Sequence, residues 1–97
     1  MELTEAQKER LTLLSEECGE VVQAASKVLR FGWDNTYPKV GCSNLEHLEK
    51  EIGGICAILS LMAANSDISE ARCSEAEVYK LATIGKYTKY QIPKEIA

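Results

Sequence analysis

Two capping boxes divide this chain and limit what it can fold into. Thr4 is followed three residues later by Gln7, and Ser43 by Glu46. In each pair the first side chain satisfies a free amide of a helix's first turn while the second reaches back to the cap. Behind each box runs a long stretch of helical periodicity. Leu11, Leu14, Cys18, Val21 or Val22, Ala25, Val28 and Leu29 follow the first, and Leu45, Leu48, Ile52, Ile55, Cys56, Leu59 and Met62 or Ala63 the second. The spacing predicts one helix over 4–30, stopped by Gly32 with Lys27 and Arg30 in its last turn. A second is predicted from Ser43 to Ala64, ending before Asn65-Ser66. A third is predicted to start at Asp67 with Glu70 and to reach Lys89, carried by Ile68, Ala71, Val78, Leu81 and Ile84. Ser74 and Glu77 offer a break near Cys73-Ser74, and Pro93 ends regular structure. No strand pattern is visible, so the expected fold is all-α, an antiparallel helical bundle.

Ninety-seven residues make one small domain, and a chain of that size buries only about 60–65% of the surface its unfolded form exposes. Three amphipathic helices give a thin core. Ile55, Ile58, Leu59, Leu61 and Met62 spread over more than one stripe of the second helix. That width predicts a second chain against it, in a homodimer or homotetramer. Gly53-Gly54 stands inside the same helix, where each glycine costs roughly 0.5–1 kcal/mol against alanine. The expected return is close approach of another helix or of a ligand.

The net charge of −4 argues against a nucleic-acid surface, and an anionic substrate would need a cation or a local basic patch. Cys18, Cys42, Cys56 and Cys73 form no C-x-x-C pair and read as reduced thiols, some of them buried. A zinc site from Cys42 and His47 lacks the usual ligand spacing. The acidic, polar start is no signal peptide, and the apolar stretch 52–64 is short of the roughly 20 residues a membrane span needs. A soluble cytoplasmic protein with no membrane partner is expected.

The chemistry is concentrated in one helical turn, Ser15-Glu16-Glu17-Cys18-Gly19-Glu20. Carboxylates three and four apart share a helix face and repel one another unless solvent or a cation relieves them. Glu46, Glu49 and Glu51 form a second acidic group. If the first two helices pack antiparallel, Glu17 and Glu20 can meet Glu51 across the interface. Two or three carboxylates on facing helices suit Mg²⁺, which keeps waters and substrate phosphates in its remaining positions. With His47 the chain's one histidine and no Glu-x-x-His run, a di-iron bundle is disfavoured. A solvated acidic face is the competing reading. The loop 31–43 carries Trp33 and Tyr37, aromatics able to stack on a nucleobase or, for Trp33 with Phe31, to close the core.

The segment from Glu16 through Gly32 resembles the first helix of the MazG-like all-α nucleotide pyrophosphohydrolases. Asn44-Leu45-Glu46-His47-Leu48-Glu49-Lys50-Glu51-Ile52-Gly53-Gly54 resembles their second motif. The family pattern is E-E-x-x-E followed some tens of residues later by E-x-x-D, and the likeness covers residues 8–62. It extends to the small phage-encoded members, which carry a comparable loop between the motifs. The resemblance implies a MazG-like bundle completed by oligomerisation and Mg²⁺-dependent hydrolysis of a nucleoside triphosphate to monophosphate and pyrophosphate, with Mn²⁺ as an alternative ion. It also implies Glu17, Glu20 and Glu51 as metal ligands, and Glu16 as a further ligand or a residue orienting the attacking water. Gly54 departs from the pattern: it stands where the family has Asp, so one ligand is missing.

Positive charge for the phosphates would come from Lys27 and Arg30 on the first helix, or from the tail, where Lys80, Lys86, Lys89 and Lys94 accompany Tyr87 and Tyr90. Of these, Lys27, Arg30, Lys86 and Tyr90, with Trp33, are the candidate substrate contacts; each lysine also reads as part of a solvated helix face. The expected function is a pyrophosphohydrolase in which Gly54 weakens or abolishes turnover. The alternatives are an inactive MazG-like nucleotide-binding protein and a helical adaptor that takes no nucleotide.

Overall fold

The computed structural model describes residues 2–37 and 41–91. Pro93 and Lys94, and the side chain of Tyr37, lie outside what is described. The chain divides into two compact units, Met1–Asp67 and Ile68–Ala97.

The first unit is a helical hairpin. Helix α1 spans Glu5–Phe31 and helix α2 spans Asn44–Ala64. Both predicted capping boxes form. Thr4 Oγ1 accepts from Gln7 N at 3.1 Å while Thr4 N donates to Gln7 Oε1 at 2.8 Å, and Ser43 and Glu46 exchange the same two bonds, each at 3.1 Å. Gly32 ends α1 at φ 88°, a left-handed value suited to glycine, and its N–H donates to Val28 O at 2.8 Å. Between the helices, strands β1 (Thr36–Tyr37) and β2 (Cys42–Ser43) form a minimal antiparallel ladder, pairing Thr36 with Ser43 and Tyr37 with Cys42. No strand was expected there, because two residues are too few for an alternating pattern to register.

The two ends of the hairpin are tied differently, and both ties require antiparallel helices. At the loop end, Asn44 is 1% exposed. Its Nδ2 donates to Gly32 O at 3.0 Å and its backbone N–H to Asn35 O at 2.9 Å, while Leu45 N donates to Trp33 O at 3.0 Å. At the open end, Arg10 grips Asp67 through both carboxylate oxygens, Nε on Oδ2 and Nη2 on Oδ1 at 3.0 Å. The guanidinium, and to a smaller extent Gln7, hold the Asp67 carboxyl below the usual carboxylate range, against the opposing effect of burial.

The facing stripes carry Leu14, Glu17, Val21, Ala24, Ala25 and Val28 on α1, and Leu48, Glu51, Gly54, Ile55, Ile58, Met62 and Ala63 on α2, all buried or half-buried. Among the described residues, Ala24 and Met62 are the fully buried apolar ones. The other apolar residues of the two predicted faces do not enter. Leu11, Cys18, Val22 and Leu29, with Leu45, Ile52, Cys56 and Leu59, form a second stripe on each helix and stay exposed. One helix can cover only part of a wide apolar face, and the facing sector is centred on Glu17 and Ala24. The expectation of buried thiols is corrected accordingly: Cys18, Cys56 and Cys73 are exposed, Cys42 is half-buried, and all four are free.

The second unit holds helix α3, Glu70–Thr83, and a 3₁₀ turn, Ile84–Lys86. Helix α3 begins later than predicted. Ser69 is its cap, accepting from Arg72 N at 3.2 Å, because the Asp67 carboxylate is engaged by Arg10. It runs through Cys73-Ser74 without a break and gives way to the 3₁₀ turn before Lys89. Among the described residues, no helix is long and apolar enough to cross a membrane.

Candidate metal centre

Glu17 and Glu20 lie one turn apart near the middle of α1, and Glu51 lies two turns into α2. Antiparallel packing brings the three together: one carboxylate oxygen from each lies within 4.8 Å of the other two. Glu17 and Glu51 are half-buried between the helices and Glu20 is exposed at their edge. The site is therefore a notch, open on the Glu20 side and backed by α2.

Gly54 provides that backing. A Cβ built on it would fall on Glu17 Oε2 and lie 2.9 Å from Glu17 Cδ and 3.4 Å from Oε1. The Glu17 carboxylate thus rests against the bare backbone of α2, in the space that any side chain at 54 would begin to fill. His47, one turn before Glu51, places Nε2 3.4 Å from Glu51 Oε1.

The crowding of the three carboxylates bears on the ionisation of Glu20. Glu20 is pushed above the usual glutamate range, first by a hydrogen bond with Glu51, then by the charges of Glu51 and Glu17, with smaller contributions from burial and from Glu16. A divalent cation bound among the three would relieve that repulsion. Oxygens on one Mg²⁺ at about 2.0–2.1 Å stand about 3 Å apart when adjacent and about 4 Å when opposite. The 4.8 Å limit on the present separations is within about 1 Å of the wider of these two distances. The donor set is all carboxylate, which suits a hard cation such as Mg²⁺ or Mn²⁺. The residues present are of the kind that such an ion takes, and Glu17, Glu20 and Glu51 are the ones that would hold it.

The remaining candidates of the first unit lie outside the cluster. Glu16 is exposed beside it and enters through its charge on Glu20. Lys27 is half-buried seven residues beyond Glu20, about 10 Å along the helix axis, and Arg30 is about 15 Å along it. The Arg30 guanidinium sits 5.0 Å over the Phe31 ring. Trp33 and Phe31 are 54% and 49% exposed, so neither closes the core. Lys86 and Tyr90 belong to the second unit, where both are exposed and Lys89 Nζ lies 5.4 Å over the Tyr90 ring. The Asp67 carboxylate is engaged by Arg10 at the open end of the hairpin and is no substitute for the missing motif Asp.

Two features of the site went unread in the sequence. His47 stands four residues before Glu51, the helical spacing that brings side chains together, and that spacing was the available signal. The other is the packing of Glu17 on Gly54, for which the glycine pair was a signal without a direction. No protein-family model, curated protein or solved structure matches the chain.

Proposed function

We propose that this chain is a divalent-cation-dependent nucleoside triphosphate pyrophosphohydrolase of the MazG-like kind, acting as a homo-oligomer. The observation that carries the reading is the convergence of Glu17, Glu20 and Glu51 from two different helices on one notch. A solvated acidic face does not require half-buried carboxylates from separate helices to meet, and like charges so placed are costly unless something binds there.

Held by these three carboxylates, Mg²⁺ would neutralise triphosphate charge and lower the pKa of a bound water. The chain's own residues do the rest. Its net charge of −4 repels a free polyanion, so substrate enters with its cation. Glu16, exposed at the rim, accepts a hydrogen bond from the attacking water and orients it. Water oxygen attacks the α-phosphorus, the bond from that phosphorus to the bridging oxygen breaks, pyrophosphate leaves, and the water's proton is released to solvent. Lys27 and Arg30, further along α1, supply positive charge to the phosphates. The uncovered stripes of α1 and α2 are closed by a second copy of the hairpin.

Incubation with a panel of ribo- and deoxyribonucleoside triphosphates plus Mg²⁺, resolved by ion-exchange chromatography, tests the reading. Monophosphate and pyrophosphate in equal amounts, lost in Glu51→Gln, support it. The E-x-x-G motif favours a second reading, a nucleotide-binding protein without turnover; that reading is met by nucleotide-dependent thermal stabilisation with no product. Neither response leaves a helical adaptor.

A further inference from the structure

We propose that Gly54 is a positioning residue that gives the Glu17 carboxylate its place, so that the site is a single-ion, three-glutamate centre rather than a two-metal site with one ligand lost. The inference rests on the metal reading above and specifies how the E-x-x-G motif serves it. The two adjacent glycines of α2 differ sharply in what they face. A Cβ on Gly53 meets nothing within 4 Å, whereas one on Gly54 meets every atom of the Glu17 carboxylate. Gly54 is half-buried on the stripe turned toward α1, and Gly53 is exposed. Glu17 reaches across to α2 and lies beside Glu51 because no side chain occupies position 54. A carboxylate carried by residue 54 and the Glu17 carboxylate in its present position exclude one another, so the glycine exchanges one oxygen ligand for another.

The contrast supplies its own control. Alanine at 53 or 54 suits a helix interior, and at 54 the obstruction is the end of a flexible side chain, which can swing out to solvent. Both variants should fold, as circular dichroism in EDTA would verify. Mn²⁺ binding is then read by the loss of the free-ion electron paramagnetic resonance signal, without any nucleotide. Wild type and Gly53→Ala are expected to bind one Mn²⁺ per chain with equal affinity, and Gly54→Ala to bind about tenfold or more weakly, the scale on which disturbing a ligand's support acts. In a double-mutant cycle, Glu17→Gln should cost little further affinity in the Gly54→Ala background, because both changes remove the same ligand. Gly54→Asp should bind no more tightly than wild type.

Equal affinity in Gly54→Ala and wild type overturns the inference while leaving the metal reading intact. So does a Gly54→Asp variant that binds more tightly or takes up a second ion, since Glu17 and the new carboxylate would then coexist. A wild-type protein that binds no Mn²⁺ overturns the inference and the metal reading together.

Discussion

The second apolar stripe of the hairpin makes oligomerisation measurable one residue at a time. Leu11, Leu45, Ile52 and Leu59 remain 39–46% exposed, with Val22 at 65% and Leu29 at 87%. Fully burying such a side chain contributes about 1.5–3 kcal/mol, and the exposed fractions of these six equal roughly three whole side chains. A twofold pairing would bury that surface on both copies, giving about 9–18 kcal/mol against an association cost of about 4–15 kcal/mol. Ile52 lies in the middle of the α2 stripe and is 46% exposed. Truncating it to alanine forfeits most of the remaining burial, about 0.7–1.4 kcal/mol per copy and about 1.4–2.8 kcal/mol per dimer. The dimer dissociation constant should therefore rise about 10- to 100-fold. Sedimentation equilibrium of wild type, Ile52→Ala and the exposed-lysine control Lys50→Ala over a range of concentrations reads that shift. A wild-type chain that sediments as a monomer throughout, or an Ile52→Ala variant that associates as tightly as wild type, refutes the reasoning.

Three further outcomes are expected. Asn44→Asp puts a carboxylate at a position 1% exposed and removes the donor to Gly32 O, so it should cost about 3 kcal/mol or more. Asn44→Leu trades that bond against relief of the unpartnered Asn44 Oδ1 and should stay within about 1 kcal/mol of wild type, since the two terms are of similar size; urea unfolding separates the two variants. The depressed carboxyl of Asp67 stabilises the fold fully above its ordinary value of 3.8 and loses that contribution as pH falls through its depressed value. Asp67→Asn should therefore melt below wild type at pH 6, and the gap should close in strong acid; a gap independent of pH contradicts the ion pair's role. Glu20→Gln removes one of three mutually repelling carboxylates, so it should raise Tm in EDTA and lower the further rise produced by Mn²⁺, both read by differential scanning calorimetry.

The helices of the hairpin were legible because their signals are local. Thr4 with Gln7 and Ser43 with Glu46 each specify a first turn from four residues, and the structure forms both boxes. What went unread depends on residues distant in the chain. Asp67 looks like a helix start until Arg10, 57 positions away, takes its carboxylate, and Ser69 caps α3 instead. Periodicity marked Leu11, Val22, Leu29, Ile52 and Leu59 as apolar, but which sector of a wide stripe faces the partner helix is set by packing around Ala24 and Gly54. The acidic centre was half legible. Spacing places Glu17 and Glu20 on one face; that Glu51 meets them depends on the hairpin register, to which the Asn44 bonds contribute. Gly54 reads as an absence in the motif, and only the position of the Glu17 carboxylate shows what the absence accommodates.

The proposed function depends on Glu17, Glu20 and Glu51 together holding one divalent cation. An anomalous difference map from crystals grown with Mn²⁺ examines it directly. One peak per chain is expected in the notch between α1 and α2, with an oxygen from each of the three glutamates at about 2.0–2.2 Å and waters completing the shell. A map with no peak there, or with Mn²⁺ bound by other residues, would contradict it.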